Sequence, residues 1–443
     1  MEPPWVGTDG SRFENNRWIV GFNRQDELPS QAVGELAHQL GRQLGFQPLL
    51  VFEHVHRGFL VELPEHPARS LERNPNIRSV RRDRVVHTLS GTTQQEADWS
   101  LDRIDQRDLP LSGSYSYDYD GAGTRIYVVD SGVRLTHERF GGRAQRVYDR
   151  FDSDSDYRET CDTDYVCCVD DCGSVCPIPS PGQGDGAATP NFHGTGVAGK
   201  AASGVLGAAQ GASIADVRVL NCRGAGMVSD VIDGLAAIAS LESAAGGKLA
   251  VVNLSIGFPH TEADVTDLEE AIRDLPSNLL LVAAAGNKNT DAATLVPARM
   301  AEVITVGAST EKDRRYWVSS EVGSNYGDAV DLFAPGHNVE MPSSENDTAT
   351  RVDWGSSYSA PLVAGVAAIH AQAEGGFISP GALRQVLISE ATTGRLTHLS
   401  GSPNRLLYQS HNTGDSGDDG SGSGGGGSGC PYQDEDGNWI MCP

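Results

Sequence analysis

Three residues of this chain have the types that acyl transfer needs: Asp130 in YVVDSGV, His193 in FHGTGVAG and Ser357 in GSSYSAP. A serine hydroxyl is a poor nucleophile at neutral pH until a base takes its proton. Histidine suits that task because its pKa lies near neutrality. A carboxylate fixes the imidazole tautomer and stabilises the imidazolium that forms. Each residue alone says little, since a strand-end Asp is more often a turn former and a lone His is more often structural. Three glycine-framed motifs together, in one order along the chain, say much more.

Such residues act only if rigid elements hold them. Asp130 closes RIYVVD, an apolar run that reads as a strand. Gly194, Gly196 and Gly199 let a helix begin at His193 close to neighbouring backbone. Ser357 precedes the small-residue run LVAGVAAIHAQ, and Pro361 fits a first helical turn. The serine is therefore expected at the positive end of a helix. IADVRVL, LAVVNLSIG, NLLLVAAAG and VITVGA are further apolar runs, the pattern of a parallel sheet covered on both faces. Helical stretches such as VSDVIDGLAAIASLESA lie between them, which predicts an α/β fold with right-handed crossovers.

Residues 17–88 predict a smaller α+β unit. RWIVGFN reads as a strand, and residues 29–45 as a helix with Val33, Leu36, Leu40 and Leu44 on one stripe. LLVFEHV and GFLVELP are strands around a turn at His56–Arg57; HPARSLERNPN is a second helix and IRSVRRDRVV a closing strand. The order βαββαβ is ferredoxin-like.

The three glycine-framed motifs resemble the active-site motifs of the subtilisin-like serine proteases, whose chain order is Asp, His, Ser. VITVGASTEKDRR and SNYGDAVDLFAPG resemble the proteinase K-like branch. The resemblance spans about residues 92–408. It implies a subtilisin-like α/β fold, a mainly parallel sheet flanked by helices, that hydrolyses peptide bonds in polypeptide substrates. Ser357 would attack, His193 would serve as base and then acid, and Asp130 would orient it. Asn287 in VAAAGN takes the position of the family's oxyanion asparagine, acting there with Ser357. Leu254, Ser255, Ile256 and Gly257 would form one wall of the cleft. Ala283, Ala284, Ala285 and Gly286 would form the other wall of the first specificity pocket, with room for a large apolar or aromatic side chain. Gly224, Ala225 and Gly226 would be the edge strand that pairs with extended substrate, giving broad specificity. Asp331 with the carbonyls of Ala301 and Val303 resembles a calcium site of proteinase K, so structural calcium is expected and no organic cofactor.

The chain departs from the family pattern in places. Ser356, Ser357, Tyr358 and Ser359 stand where Thr, Ser, Met and Ala are usual. Ser356 competes on paper as nucleophile, but the family position and the helix start favour Ser357. Phe258 replaces a usual glycine and Gly196 a usual histidine. The N-terminal unit, 17–89, resembles the family's inhibitory propeptide, an intramolecular inhibitor, and NIRSVRRDRVVHTLSG resembles its exit tail. Self-cleavage is expected between about Leu89 and Gln94. The competing reading of that unit is an ordinary ferredoxin-like accessory domain. The competing reading of the whole chain, a catalytically silent binding protein, needs a missing triad member, and none is missing.

Charge and cysteine divide the remainder. Net charge is −25, which excludes nucleic acid as the main partner. Residues 149–190 hold ten acids against two arginines, while residues 1–89 balance eleven of each. Five of the eight cysteines (Cys161, Cys167, Cys168, Cys172, Cys176) crowd the insert at 152–190; Cys222 stands by the expected edge strand, and Cys430 and Cys442 flank the tail. An even total in clusters reads as disulfides in an oxidising compartment, with Cys430 to Cys442 the natural bridge; a zinc site lacks paired C-x-x-C spacing and interleaved histidine. The acidic insert DSDSDYRETCDTDYVCCVDDC offers hard oxygens for calcium without an EF-hand pattern. A secreted monomer is expected, although residues 1–16 show no signal-peptide pattern. No apolar run is long enough to span a membrane. The expected layout is an N-terminal tail (1–16), the propeptide unit (17–89), the catalytic domain (90–408), a Gly/Ser linker (409–429) and a short Cys-flanked tail (430–443).

Overall fold

The five apolar runs of the second unit all become neighbouring parallel strands. A computed structural model of the chain describes residues 16–23, 30–53, 57–83, 92–151, 192–221, 224–243, 245, 247–259, 265–411, 432–433 and 439–440. The chain divides into two compact units, Met1–Thr88 and Leu89–Pro443.

The first unit runs β1 (Arg17–Phe22), a helix (Ser30–Leu44), β2 (Pro48–Phe52), β3 (Gly58–Glu62), a short helix (Glu65–Ser70) and β4 (Ile77–Arg82). Its sheet order is β2-β3-β1-β4, and β1 is antiparallel to both neighbours. This is the ferredoxin-like arrangement. Strand alternation sends Trp18, Val20 and Phe22 to one face, where they meet Val33, Ala37 and Leu40 of the helix. Leu44, expected on that stripe, is 54% exposed. The helix ends at it, Gly45 turns the chain at φ 80°, and Phe46 takes the buried place, stacked on Phe59 at 5.4 Å.

The second unit opens with β5 (Thr92–Gln95), which pairs antiparallel with β6 (Ser114–Tyr117). Then follow β7 (Arg125–Asp130), β8 (Ala144–Asp149), β9 (Ser213–Arg218), β10 (Ala250–Leu254), β11 (Phe258–Pro259), β12 (Leu279–Ala284), β13 (Leu295–Val296), β14 (Val303–Ser309) and β15 (Leu332–Pro335). A hairpin of β16 (Val339–Pro342) and β17 (Thr350–Asp353) precedes the edge strands β18 (Thr392–Thr393) and β19 (Arg405–Leu406). The sheet has nine strands in the order β18-β19-β15-β14-β12-β10-β7-β9-β8. Every pair is parallel except β18 with β19 at the edge. In the tail, Tyr432–Gln433 pairs antiparallel with Trp439–Ile440.

Both faces of this sheet are covered, as the continuous apolar runs require. Ile126, Val128, Val251 and Val282 point to one face, packed by the helices Phe192–Ala202 and Ser356–Ala373. Tyr127, Val129, Val252 and Leu281 point to the other, packed by Val228–Ser243 and Thr266–Arg273. The first pair of helices approaches closely: a Cβ at Gly365 would stand 2.6 Å from the Ala201 carbonyl oxygen. The helix carrying Ser357 starts at Ser356, so Pro361 lies beyond the first turn where it was expected. Proline has no N–H to give to the carbonyl four residues back, and that carbonyl, of Ser357, instead accepts the Ser255 hydroxyl at 2.8 Å.

Candidate active site

The site forms at the C-terminal ends of β7, β10 and β12, where the loops meet the starts of two helices. Asp130 is fully buried. Its Oδ1 accepts the Ser131 backbone N–H at 2.6 Å and the Ser131 hydroxyl at 3.0 Å. His193 Nδ1 lies 2.9 and 3.0 Å from the two Asp130 oxygens. An ionised carboxylate only accepts, so Nδ1 carries the proton and Nε2 is left with its lone pair. Gly194 makes the approach possible, because a Cβ there would run into the Gly132 carbonyl oxygen. Its N–H binds the Ser131 hydroxyl oxygen at 3.1 Å, tying the strand end to the helix start.

Burial pulls the His193 pKa down, but the Asp130 charge and hydrogen bond outweigh it, and the imidazole ends above its ordinary value. Asp353 adds to the rise and Arg351 opposes it. These last two groups sit on β17. Arg351 donates to Asp353 Oδ2 at 2.8 Å and lies 3.6 Å from the Phe192 ring centroid. The Tyr358 hydroxyl donates to the same Asp353 oxygen at 3.3 Å, and its ring lies 5.6 Å from the His193 ring. Two family departures prove to be coupled here. The bulky Tyr358 fits because residue 196 is glycine: a Cβ there would lie 3.2 Å from the Tyr358 ring and 2.6 Å from Met341 Sδ.

Ser357 stands beside that tyrosine. It is the one residue of 356–371 that is not buried. Ser356 is fully buried, and its hydroxyl donates to Asn287 Oδ1 at 3.0 Å and accepts the Gly286 N–H at 3.0 Å. The Ser356 N–H donates to the same Asn287 oxygen at 2.8 Å. The rival serine is thus committed to holding Asn287, whose carbonyl oxygen is pinned while its amide nitrogen faces Gly355. Gly355, at φ 143°, leaves that nitrogen clear; a Cβ would lie 3.1 Å from it.

The two expected walls are the ends of adjacent strands, with Leu254 paired to Ala283. Leu254, Ser255, Ala283, Ala284 and Ala285 are buried, whereas Ile256, Gly257 and Gly286 border open space. Leu295 sits between the walls: a Cβ on Gly257 would lie 3.6 Å from its Cδ1, and one on Gly286 2.5 Å. No motif marked Leu295, because it reaches the site only through the short β11–β13 pairing of Phe258 with Val296. Ser131 was inside the quoted DSG motif and could have been read as the support of Asp130; Asp353 and Arg351 carried no signal. Gly224, Ala225 and Gly226 do not form the expected strand. Gly224 turns at φ 73°, and both the N–H and the carbonyl of Ala225 are taken by Asn221, at 3.1 and 2.8 Å.

The three residues expected to hold calcium have other partners. The Arg384 guanidinium bonds both Asp331 Oδ1, at 2.8 Å, and the Ala301 carbonyl oxygen. It stands between two of the expected ligands, and Val303 is a buried residue of β14. These residues do not fit a metal ion. Among the described residues no group of three or more His, Cys, Asp and Glu is placed to hold one. All eight cysteines and the insert at 152–190 lie outside the described residues. No helix among the described residues is long and apolar enough to cross a membrane.

Residues 121–417 match the subtilase family of S8 peptidases. The chain belongs to the subtilase family. It is a subtilisin-like serine peptidase that acts on polypeptides. This subtilase is 33% identical over 403 residues to the alkaline serine exoprotease A of Vibrio alginolyticus, covering 89% of this chain and 67% of the relative. It is 33% identical over 425 residues to an extracellular serine proteinase of a Thermus species, covering 92% of this chain and 93% of the relative. Among solved structures, a cold-adapted subtilisin-like serine proteinase superposes with a TM-score of 0.57 at 34% identity, covering 71% of this chain and 99% of that one.

Proposed function

We propose that this subtilase is a secreted endopeptidase of broad, apolar-leaning specificity, made as a zymogen that processes itself. The observation that carries the reading is the pairing of His193 Nδ1 with both Asp130 oxygens, next to the one serine left unburied at a helix start. Ser357 Oγ attacks the substrate carbonyl carbon as His193 Nε2 takes its proton. Asp130 stabilises the imidazolium and keeps its own charge. The oxygen that becomes negative is met by the Asn287 amide and the Ser357 N–H, one of the first-turn N–H groups that have no partner within a helix. His193 then returns the proton to the leaving amine. Small residues on both walls and Leu295 between them favour an apolar side chain in the pocket. An edge segment at 224–226 would have to release Ala225 from Asn221 before pairing with substrate backbone.

The zymogen reading rests on the separate ferredoxin-like unit. The Thermus relative, named extracellular, matches over 92% of this chain, more than the second unit alone provides. Residues 92–95 are committed to a ladder with 114–117, in register from Thr92 with Tyr117 to Gln95 with Ser114. That favours a cut at 89–91 over one inside the strand. Expression of Ser357→Ala should give full-length, uncut protein without hydrolytic activity, whereas the parent gives a mature N-terminus within residues 90–92 by N-terminal sequencing. Normal self-processing in the variant would refute the assignment of Ser357.

A further inference from the structure

At the N-terminal end of another strand of the same sheet, just before β15, lies another carboxylate. Asp331 gives Oδ1 to Arg384 and Oδ2 to the Thr305 backbone N–H at 2.9 Å. Its own N–H bonds the Thr305 carbonyl at 2.9 Å, and its carbonyl takes a longer contact from Arg405 at 3.4 Å. Arg384 comes from the helix Pro380–Glu390 and reaches Ala301 with its other terminal nitrogen. The two side chains are only 26% and 18% exposed.

A calcium ion takes about six to eight oxygen ligands. Here the carboxylate has both oxygens committed, and the Ala301 carbonyl faces a guanidinium. The charges also match without an ion: one carboxylate against one guanidinium. Arginine's flat fork can bond two acceptors at once, which a point charge does only by drawing them to itself. The bond to Ala301 has a further consequence. Ala301 lies in the loop from β13 to β14, which directly follows the strand that carries Leu295. That loop is held at Ala298, whose carbonyl accepts the Thr305 hydroxyl at 2.5 Å, and at Ala301 by Arg384.

We propose that Arg384 is a built-in cation: it fastens the Ala301 loop to the start of β15, and calcium does not bind at this place. The fastening then survives chelators, which a metal-held loop would not.

The test uses the full chain carrying Ser357→Ala, to prevent self-digestion, with calcium binding measured by calorimetry and melting followed with and without EDTA. Adding Asp331→Asn to the chain that keeps Arg384 should leave the number of bound calcium ions unchanged. Arg384→Ala should melt several degrees lower (about 2–4 °C for each kcal/mol lost in mid-sized domains). It should also gain an additional calcium-binding event that raises its melting temperature, and Asp331→Asn in that same chain should remove the gain. Arg384→Lys keeps the charge but not the fork, so it should melt lower without gaining calcium; it also serves if Arg384→Ala does not fold. The proposal falls if Asp331→Asn removes a bound calcium while Arg384 is present. It falls equally if Arg384→Ala gains no calcium response, or if Arg384→Lys gains one.

Discussion

Two carboxylates at opposite strand ends of one parallel sheet, Asp130 after β7 and Asp331 before β15, each hold a nitrogen base, and they do different work. Asp130 ends β7, is fully buried, and faces the imidazole of His193. Asp331 precedes β15, is partly buried, and faces the guanidinium of Arg384. An imidazole titrates near neutrality, whereas a guanidinium keeps its proton at any pH a folded protein survives. The first pair is therefore poised to move a proton and the second cannot. The difference lies in the partner and its chemistry: an imidazole can take and return a proton, while Arg384 spends its donors on two fixed acceptors.

The largest expected effect breaks the first pair. Asp130→Asn should lower kcat about 10⁴-fold, the loss seen when a triad carboxylate becomes an amide, because the tautomer of His193 is no longer set. Steady-state kinetics on a peptide substrate would show it, and a loss below about tenfold would place Asp130 outside the proposed triad. Asp331→Asn is the matching change in the second pair. It should leave kcat near the parent value and lower the melting temperature instead, since it strands Arg384 without its carboxylate. A large kcat loss with unchanged melting would erase the contrast between the two pairs.

A smaller effect sharpens the electrostatics of the first pair. His193 must be neutral to act as base, so activity rises as pH passes its pKa. Burial lowers that pKa and Asp130 raises it more, which sets the acidic limb of kcat/KM above the ordinary value of about 6.5. Asp353 pushes the same way, and Arg351 pushes back. Asp353→Asn removes one upward push while Arg351 still pushes down, so the acidic limb should move to lower pH. The groups facing His193 are then Asp130, Arg351 and the Tyr358 hydroxyl, which burial keeps protonated. A pH–rate profile measures the limb; an unmoved limb would reduce Asp353 to a packing partner of Tyr358.

The fold was largely legible because its signals are local. RIYVVD, IADVRVL, LAVVNLSIG, NLLLVAAAG and VITVGA announce buried parallel strands by unbroken apolar character, and they become β7, β9, β10, β12 and β14. The ferredoxin-like unit was readable from alternation and turn residues. Leu44 misled because periodicity does not say where a helix stops. Pro361 misled because the helix starts at Ser356, five residues before it, which puts the proline inside the helix instead of in its first turn. The segment at 224–226 is not a strand because Gly224 turns the chain and Asn221 takes the backbone groups of Gly224 and Ala225 locally.

At the site, sequence alone pointed to the proposed trio, since Asp130, His193 and Ser357 each carry a glycine-framed motif with a reason of its own. It also marked 254–257 and the small residues 283–286 as the expected pocket walls. Only the tertiary structure shows what occupies Ser356: it is buried against Asn287, while Ser357 is left unburied. Only it could bring Arg384 to Asp331 and Ala301, 53 and 83 residues away along the chain. Side-chain type is written locally, whereas partnership depends on which strands and helices the whole core forces together. That is why a carboxylate that resembled a metal ligand in sequence turned out to be held by an arginine.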